Sequence, residues 1–416
     1  GRIPKGAHGN AKMSRHVQFE ANMTLSGANA DKRVPLSPSD QKVALAKIYA
    51  GVTGNSVSGR QLSDRAEDAI KKAVTQLKKA NSKAVVVSGI NDVDAQSLVL
   101  AINESINSEA FDKDAPRKIR QGDDKAVAKL ISDMKAGAVG GIIMAGVNPV
   151  YTLPNGEEFG EELSKLDLAV TFTQKEDETA LQTKYVAATP HYLESWGDVE
   201  IKKGHYSVMQ PTIRPLFNTR QFQDALLKWT GNEKAYYEYL KETWATDILG
   251  GVPWNKAVHD GVFKTTAVVS LADEATAAIE DAEANQADGE TEETAPQTTD
   301  ANTQARKLAG TPAASGMELV LYAKTGMGDG QQANNPWLQE FPDPITRASW
   351  DNYLTMSQAD ADANEIKNWN VANGGLNGSY VNVTVNGETI NNVPVIIQPG
   401  QAKGTVGLAL GYGKKA

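Results

Sequence analysis

The 416-residue chain contains no cysteine. That excludes disulfides, thiolate-bound zinc, haem attached through Cys-x-x-Cys-His and cysteine-ligated iron–sulfur clusters within these residues. It assigns no compartment, because a cysteine-free chain tolerates either redox environment. Long apolar runs are missing as well. The longest, Ala138 to Val150, is broken by glycines and Pro149 and is shorter than the roughly 20 residues of a membrane helix. Direct membrane insertion is not expected, so any bilayer association would run through partners. A clustered basic face is also lacking. The formal charge of −9 is concentrated, with ten acids and no Lys or Arg between Asp273 and Asp300, and the remainder is close to neutral. Nucleic-acid binding, which needs such a face, is not expected. The histidines (His8, His16, His191, His205 and His259) are scattered without metal-ligand spacing, and no Gly-x-Ser-x-Gly elbow or Walker loop occurs.

What is present points to a globular chain of more than one domain. The length predicts roughly two to three domains, and the 40% hydrophobic content is that of a folded protein. The opening Gly-Arg-Ile-Pro, without an initiator Met or leader, reads as the start of a processed or truncated piece. Residues 1–36 read as an extended segment. Residues 37–271 follow as an α/β domain. Apolar runs at Ala84–Val87, Gly141–Ala145 and Leu168–Phe172 predict parallel strands, and 3.6-residue periodicity between them predicts helices. The fold class is α/β with a doubly wound parallel sheet. Residues 272–315, rich in Ala, Glu, Asp, Thr, Gln and Pro, read as an acidic low-complexity linker, with Leu271–Ala287 able to form a solvated helix. Residues 316–416 read as a β-barrel domain, with alternating Val381, Val383 and Val385, an Asn386-Gly387 hairpin turn, and further strands at Val393–Ile397 and Val406–Leu410.

In parallel sheets ligands bind at the carboxyl ends of the strands. Two loops lie there in this reading: Ser88-Gly89-Ile90-Asn91 and Gly146-Val147-Asn148-Pro149. Glycine lets backbone approach a phosphate or pterin, and an Asn amide both donates and accepts. The same residues equally serve tight strand-to-helix turns. Glu176-Asp177-Glu178-Thr179 either caps the following helix or faces a ligand. Glu194-Ser195-Trp196-Gly197-Asp198 supplies acid, hydroxyl and indole, but no His or Lys completes a catalytic set. Gly326-Met327-Gly328-Asp329-Gly330 reads as a surface loop, since no helix start follows it. The aromatic stripes Phe222, Leu226, Trp229 and Tyr237, Leu240, Trp244 read as core or interface. No catalytic centre and no metal site are identifiable.

The order Gly146-Val147-Asn148-Pro149, Glu178-Thr179-Ala180, Glu194-Ser195-Trp196-Gly197 and Gln210-Pro211, with Gln398-Pro399-Gly400 near the end, resembles molybdopterin oxidoreductases. Three further runs are similar to the molybdopterin-oxidoreductase-like, iron–sulfur subunit of bacterial alternative complex III: Leu25-Ser26-Gly27-Ala28-Asn29-Ala30-Asp31-Lys32-Arg33, His191-Tyr192-Leu193-Glu194-Ser195-Trp196-Gly197-Asp198, and Asn334-Asn335-Pro336-Trp337-Leu338-Gln339-Glu340. The resemblance covers nearly the whole chain outside the acidic run. It implies a molybdopterin-enzyme-like part without molybdenum, whose C-terminal barrel is like those enzymes' dinucleotide-binding domain. Gly89, Asn91, Gly146, Asn148, Glu178 and Thr179 would then line a vestigial pocket and hold no cofactor. Iron–sulfur clusters and haem c are implied elsewhere in the parent subunit and complex. The implied partners are multihaem cytochrome c subunits, integral-membrane quinol-site subunits, the iron–sulfur half of the same subunit and a terminal oxidase. The implied place is the periplasmic face of the bacterial inner membrane, peripheral through those partners, and the implied role is scaffolding of quinol oxidation. The alternative is the middle and C-terminal part of a working molybdopterin-dependent oxidoreductase. A soluble nucleotide-binding module is a third expectation.

Overall fold

The structure is a computed structural model that describes residues 13–112, 114–119, 122–265, 300–372 and 375–414. His8, most of the acidic run and the expected helix over 271–287 lie outside the described residues. Part of the N-terminal segment is regular: strands β1 (Val17–Glu20) and β2 (Lys32–Pro35) pair in parallel across one helical turn, α1 (Leu25–Ala28).

Helix α2 (Pro38–Thr53) begins where its sequence signals a start. Ser37 accepts a hydrogen bond from the Asp40 N–H, Pro38 occupies the first turn, and Gly54 closes the helix at φ +82°. Ser63 and Asp92 cap α3 (Asp64–Ala80) and α4 (Val93–Ser105) in the same way. The strand expected at Ala84–Val87 does not form. The Asn103 carboxamide on α4 accepts from the Val86 N–H at 2.8 Å and donates to the Val86 carbonyl at 2.8 Å. One side chain thereby replaces a neighbouring strand.

Further along lie α5 (Asp124–Lys135), β3 (Gly141–Ala145), α6 (Pro149–Thr152), α7 (Gly156–Lys165), β4 (Leu168–Thr173), α8 (Glu178–Leu181) and β5 (Tyr185–Ala188). The three strands form a parallel sheet in the order β3-β4-β5. Helices cover both of its faces. Ala169 of β4 packs with Ile131, Met134, Phe159 and Leu163, whereas Val170 and Phe172 pack with Ala225. Such two-sided burial leaves Ala169 to Phe172 buried without alternation, the Thr171 side chain included. An antiparallel sheet follows, made of β6 (Gly197–Lys202), β7 (His205–Met209) and β8 (Val262–Lys264). Between its second and third strands come α9 (Phe222–Trp229), α10 (Tyr236–Thr243) and α11 (Trp254–Asp260).

Helix α12 (Ala301–Ala309) precedes β9 (Glu318–Tyr322), α13 (Pro336–Glu340), β10 (Leu354–Met356), α14 (Gln358–Ala363) and β11 (Asn368–Asn370). Strands β12 (Leu376–Gly378), β13 (Tyr380–Val385), β14 (Glu388–Ile397) and β15 (Thr405–Ala409) complete the chain. Asn386 and Gly387, both at positive φ, make the predicted hairpin turn between β13 and β14. The C-terminal strands form an open mixed sheet, β13-β14-β10-β15-β9, in which no pairing of β13 with β9 closes a barrel among the described residues.

The chain divides into two compact units, Gly1–Phe111 with Ala295–Lys414, and Asp112–Thr294 with Lys415–Ala416. This differs from the sequential division expected at residues 37–271, 272–315 and 316–416. The physical reason is α12. Ala305, Leu308 and Ala309 are buried in one core with Val43 and Ala46 of α2 and Leu98 and Ile102 of α4. Residues 301–309 are therefore a core helix and not linker. Its small Ala side chains permit close helix packing, and the same alanines make the composition look like low complexity. Leu308 is 2% exposed, so Leu308→Ala is expected to destabilise the protein by about 2–5 kcal/mol in urea unfolding. A change within a few tenths of a kcal/mol would return this segment to linker status.

Candidate functional site

At the carboxyl edge of the parallel sheet, β3 runs into Gly146, which sits at φ +65° and donates its N–H to the Phe172 carbonyl at 2.9 Å. Asn148, 9% exposed, then reaches across to the loop after β4. Its Oδ1 accepts from the Thr179 N–H at 3.1 Å and from the Thr179 hydroxyl at 2.7 Å, and its Nδ2 donates to Glu178 at 2.8 Å. The Thr179 hydroxyl in turn accepts from the Val150 N–H at 3.1 Å. Asp177 caps α8 by accepting from the Ala180 N–H at 3.0 Å. The structure thus brings Gly146, Asn148, Glu178 and Thr179 together, and the amide, hydroxyl and carboxylate satisfy one another. What results is a cross-link between two strand-end loops.

Gly89 and Asn91 do not join this site. Because residues 84–87 are not a strand of the parallel sheet, their loop belongs to the other compact unit, where it lines a cleft of about 1740 Å³. The expectation of one pocket edged by all six residues is corrected accordingly.

The Glu194–Asp198 turn is structural. Glu194 and His191 form a reciprocal capping pair, Glu194 also accepts from the Leu216 N–H at 3.1 Å, and Asp198 accepts from the Trp244 indole N–H at 2.8 Å. Trp244, fully buried, packs edge-on against Tyr206 and Trp254. Burial first, and then the Asp198 charge, push the Tyr236 hydroxyl well above its ordinary range. Trp229 of the first aromatic stripe is exposed but meets Phe172 edge-on.

The Leu25–Arg33 run is built around an ion pair. Buried Glu20 pairs with Arg33 and accepts from the Thr24 hydroxyl at 2.5 Å, and Arg33 also donates to the carbonyls of Asn22 (3.1 Å) and Gly400 (2.5 Å). A Cβ on Gly27 would lie 1.8 Å from the Glu20 carboxylate, so only glycine fits beside this pair.

Lys324, which the sequence does not single out, lines the same cleft as Gly89. It is 6% exposed, donates to the Tyr412 hydroxyl at 3.0 Å, and lies 3.8 Å from the ring centre of Tyr353 and 4.7 Å from that of Tyr412. Burial pushes its amine down to about 8, and the charges of Asp343 and Asp351 oppose that shift only partly. Nothing around Lys324 in the sequence signals this, because the two rings come from distant strand ends. The glycine loop that follows, residues 326–330, leads into no helix, and α13 begins only at Pro336; it is not the surface loop expected throughout, since Met327 is buried and Asp329 exposed.

Among the described residues no three His, Cys, Asp or Glu side chains converge as metal ligands. The polar groups of Asn148, Glu178 and Thr179 are bonded to each other.

No family model matches the sequence. The chain is 37% identical over 108 residues to the menaquinone reductase, molybdopterin-binding-like subunit of Nitratidesulfovibrio vulgaris, an alignment covering 25% of this chain and 16% of that protein. Its structure is similar to that of acetylene hydratase from Pelobacter acetylenicus, with a TM-score of 0.57 and 13% identity over 95% of this chain and 66% of that one. The chain therefore spans a small part of the first relative and about two thirds of the second. Both likenesses agree with a mixed α/β fold of the molybdopterin-oxidoreductase type, and neither names alternative complex III.

Asn148→Ala would leave the Thr179 N–H and the Thr179 hydroxyl proton without their acceptor inside the protein, with an expected loss of about 1–3 kcal/mol in chemical unfolding. Thr179→Val made in the Asn148→Ala background should cost less than in the wild type, since the two residues share bonds. For Lys324 the sign follows from proton counting. Below about pH 8 its amine is protonated in both states; between about 8 and the ordinary 10.5 the unfolded chain holds the extra proton. Stability should therefore rise with pH from about 8, and Lys324→Met should remove that rise in urea titrations across this range.

Proposed function

We propose that the chain is a structural, non-catalytic segment of a membrane-associated respiratory quinol oxidoreductase of the alternative complex III type. The observation that carries this reading is the Asn148–Glu178–Thr179 cross-link. At the loops where a parallel sheet would present ligand-binding groups, the side chains are committed to one another. The likeness to a menaquinone reductase subunit whose name is molybdopterin-binding-like supports both the respiratory setting and the altered pocket. In that role a rigid α/β body holds neighbouring subunits so that their redox centres stay within tunnelling reach. The neighbours we propose are multihaem cytochrome c subunits, integral-membrane quinol-site subunits, an iron–sulfur part of the same subunit and a terminal oxidase. The complex would sit on the periplasmic face of the inner membrane. No helix among the described residues is long and apolar enough to cross a membrane, which fits attachment through partners.

A second reading, part of a working molybdopterin-dependent oxidoreductase, draws on the fold shared with acetylene hydratase. Molybdenum and pterin assays on the natively purified assembly separate the two. Neither should be found on this subunit; about one of each per chain would make it an enzyme and the cross-linked loops a support behind the cofactor.

A further inference from the structure

The cleft of about 1740 Å³ in the first unit is bordered by three stretches of extended backbone: β1, residues 84–90 and β9. Each has a side that pairs with nothing among the described residues. β1 pairs only with β2, and β9 is the edge strand of its sheet, paired only with β15.

The middle stretch is the most exposed of the three. Ala84, Val86, Ser88 and Ile90 are all bonded towards α4 and the residues after it. The Ser108 hydroxyl donates to the Ala84 carbonyl at 2.6 Å, Asn103 brackets Val86, and Gln96 donates to the carbonyls of Ser88 (3.2 Å) and Ile90 (2.7 Å). The N–H and C=O groups of Val85 and Val87 take no partner among the described residues. An alternation of period two is that of a β-strand edge, one side capped by side chains and the other open. Ala84, Val86 and Ile90 rest against the core, while Val85 and Val87 are 47% and 83% exposed. An unprotected edge with branched apolar side chains is a template for another strand. Proteins that leave such an edge free usually blunt it with Pro or an inward charge, and residues 84–88, Ala-Val-Val-Val-Ser, contain neither.

The charge at the cleft selects among strands. Arg15, Lys79 and Lys83 line it and take part in no ion pair among the described residues. We infer that this cleft is a strand-addition site that takes an extended segment of a partner polypeptide, apolar at alternate positions and flanked by carboxylates, through the backbone of Val85 and Val87. A small ligand would leave these edges unpaired, whereas a strand lying about 4.8 Å away satisfies them. The inference does not depend on the scaffold reading, and cofactor content does not bear on it.

The test uses the full chain and a fluorescein-labelled peptide, Glu-Val-Thr-Val-Thr-Val-Glu, followed by anisotropy and by hydrogen exchange at single amides. Saturable binding is expected, with new protection at Val85 and Val87 and none gained at Val86, whose amide is already bonded. Methylating alternate peptide nitrogens deletes the ladder without touching the protein and should weaken binding at least about tenfold. Val87→Pro, which removes an N–H that has no partner, should weaken it similarly with the melting temperature unchanged. Lys83→Glu should reverse the preference between acid-flanked and lysine-flanked peptides. Absence of binding, equal binding of the methylated peptide, or protection at Val85 and Val87 in the chain alone would overturn the inference. Sedimentation showing self-association blocked by Val87→Pro would overturn it too, by making a second copy the occupant.

Discussion

A buried carboxamide is costly unless both its donor and its acceptor find partners, and each compact unit contains one that does, Asn148 in one and Asn103 in the other. Asn148 ties the loop after β3 to the loop after β4 through Thr179 and Glu178. Asn103 takes both backbone groups of Val86 and turns what would have been a sheet strand into a segment held by a helix. Leaving either amide unpaired costs about as much as several ordinary net hydrogen bonds contribute. These contacts therefore decide where the loops run. Gln401 in the C-terminal sheet meets only half of this demand: its amide donates to the carbonyls of Thr355 and Thr405 at 3.3 Å each, and its oxygen has no partner among the described residues.

That commitment of polar groups shapes what the molecule can do chemically. The acids that the sequence offers as candidates are engaged: Asp177 and Glu194 cap short helices and Asp198 anchors an indole. A site whose donors and acceptors already bind one another is stiff and poor at exchanging ligands. Stiffness is what a body that spaces redox centres needs, and this joins the geometry to the scaffold reading. Lys324 stands apart as a buried cation held by aromatic faces and a hydroxyl, with no carboxylate in direct contact among the described residues.

Much of the helical framework was legible in the residues because helix starts and stops are local. Ser37-Pro38, Ser63 and Asp92 act within three residues of themselves, and so does the Asn386-Gly387 turn. Strands β3 and β4 were legible as short apolar runs, whereas β5, largely exposed, gave no such run and was not read from the sequence. The same signal misled at Ala84–Val87, where an equally apolar run lacks a neighbouring strand among the described residues. Composition misled at 301–309, because alanine reads as low complexity in a linker and as close packing in a core.

The sequence by itself determined most of the helices, strands β3 and β4, the Asn386-Gly387 turn and the absence of thiolate chemistry in these residues. Those follow from short-range sterics and from residue chemistry that needs no partner. Only the tertiary structure decided that α12 belongs to the core of α2 and α4, that Gly89 and Asn91 lie in a different unit from Asn148, and that Lys324 is buried between tyrosines. These depend on contacts between residues tens to hundreds of positions apart. Such contacts are selected by the joint packing of whole elements, which no local pattern encodes.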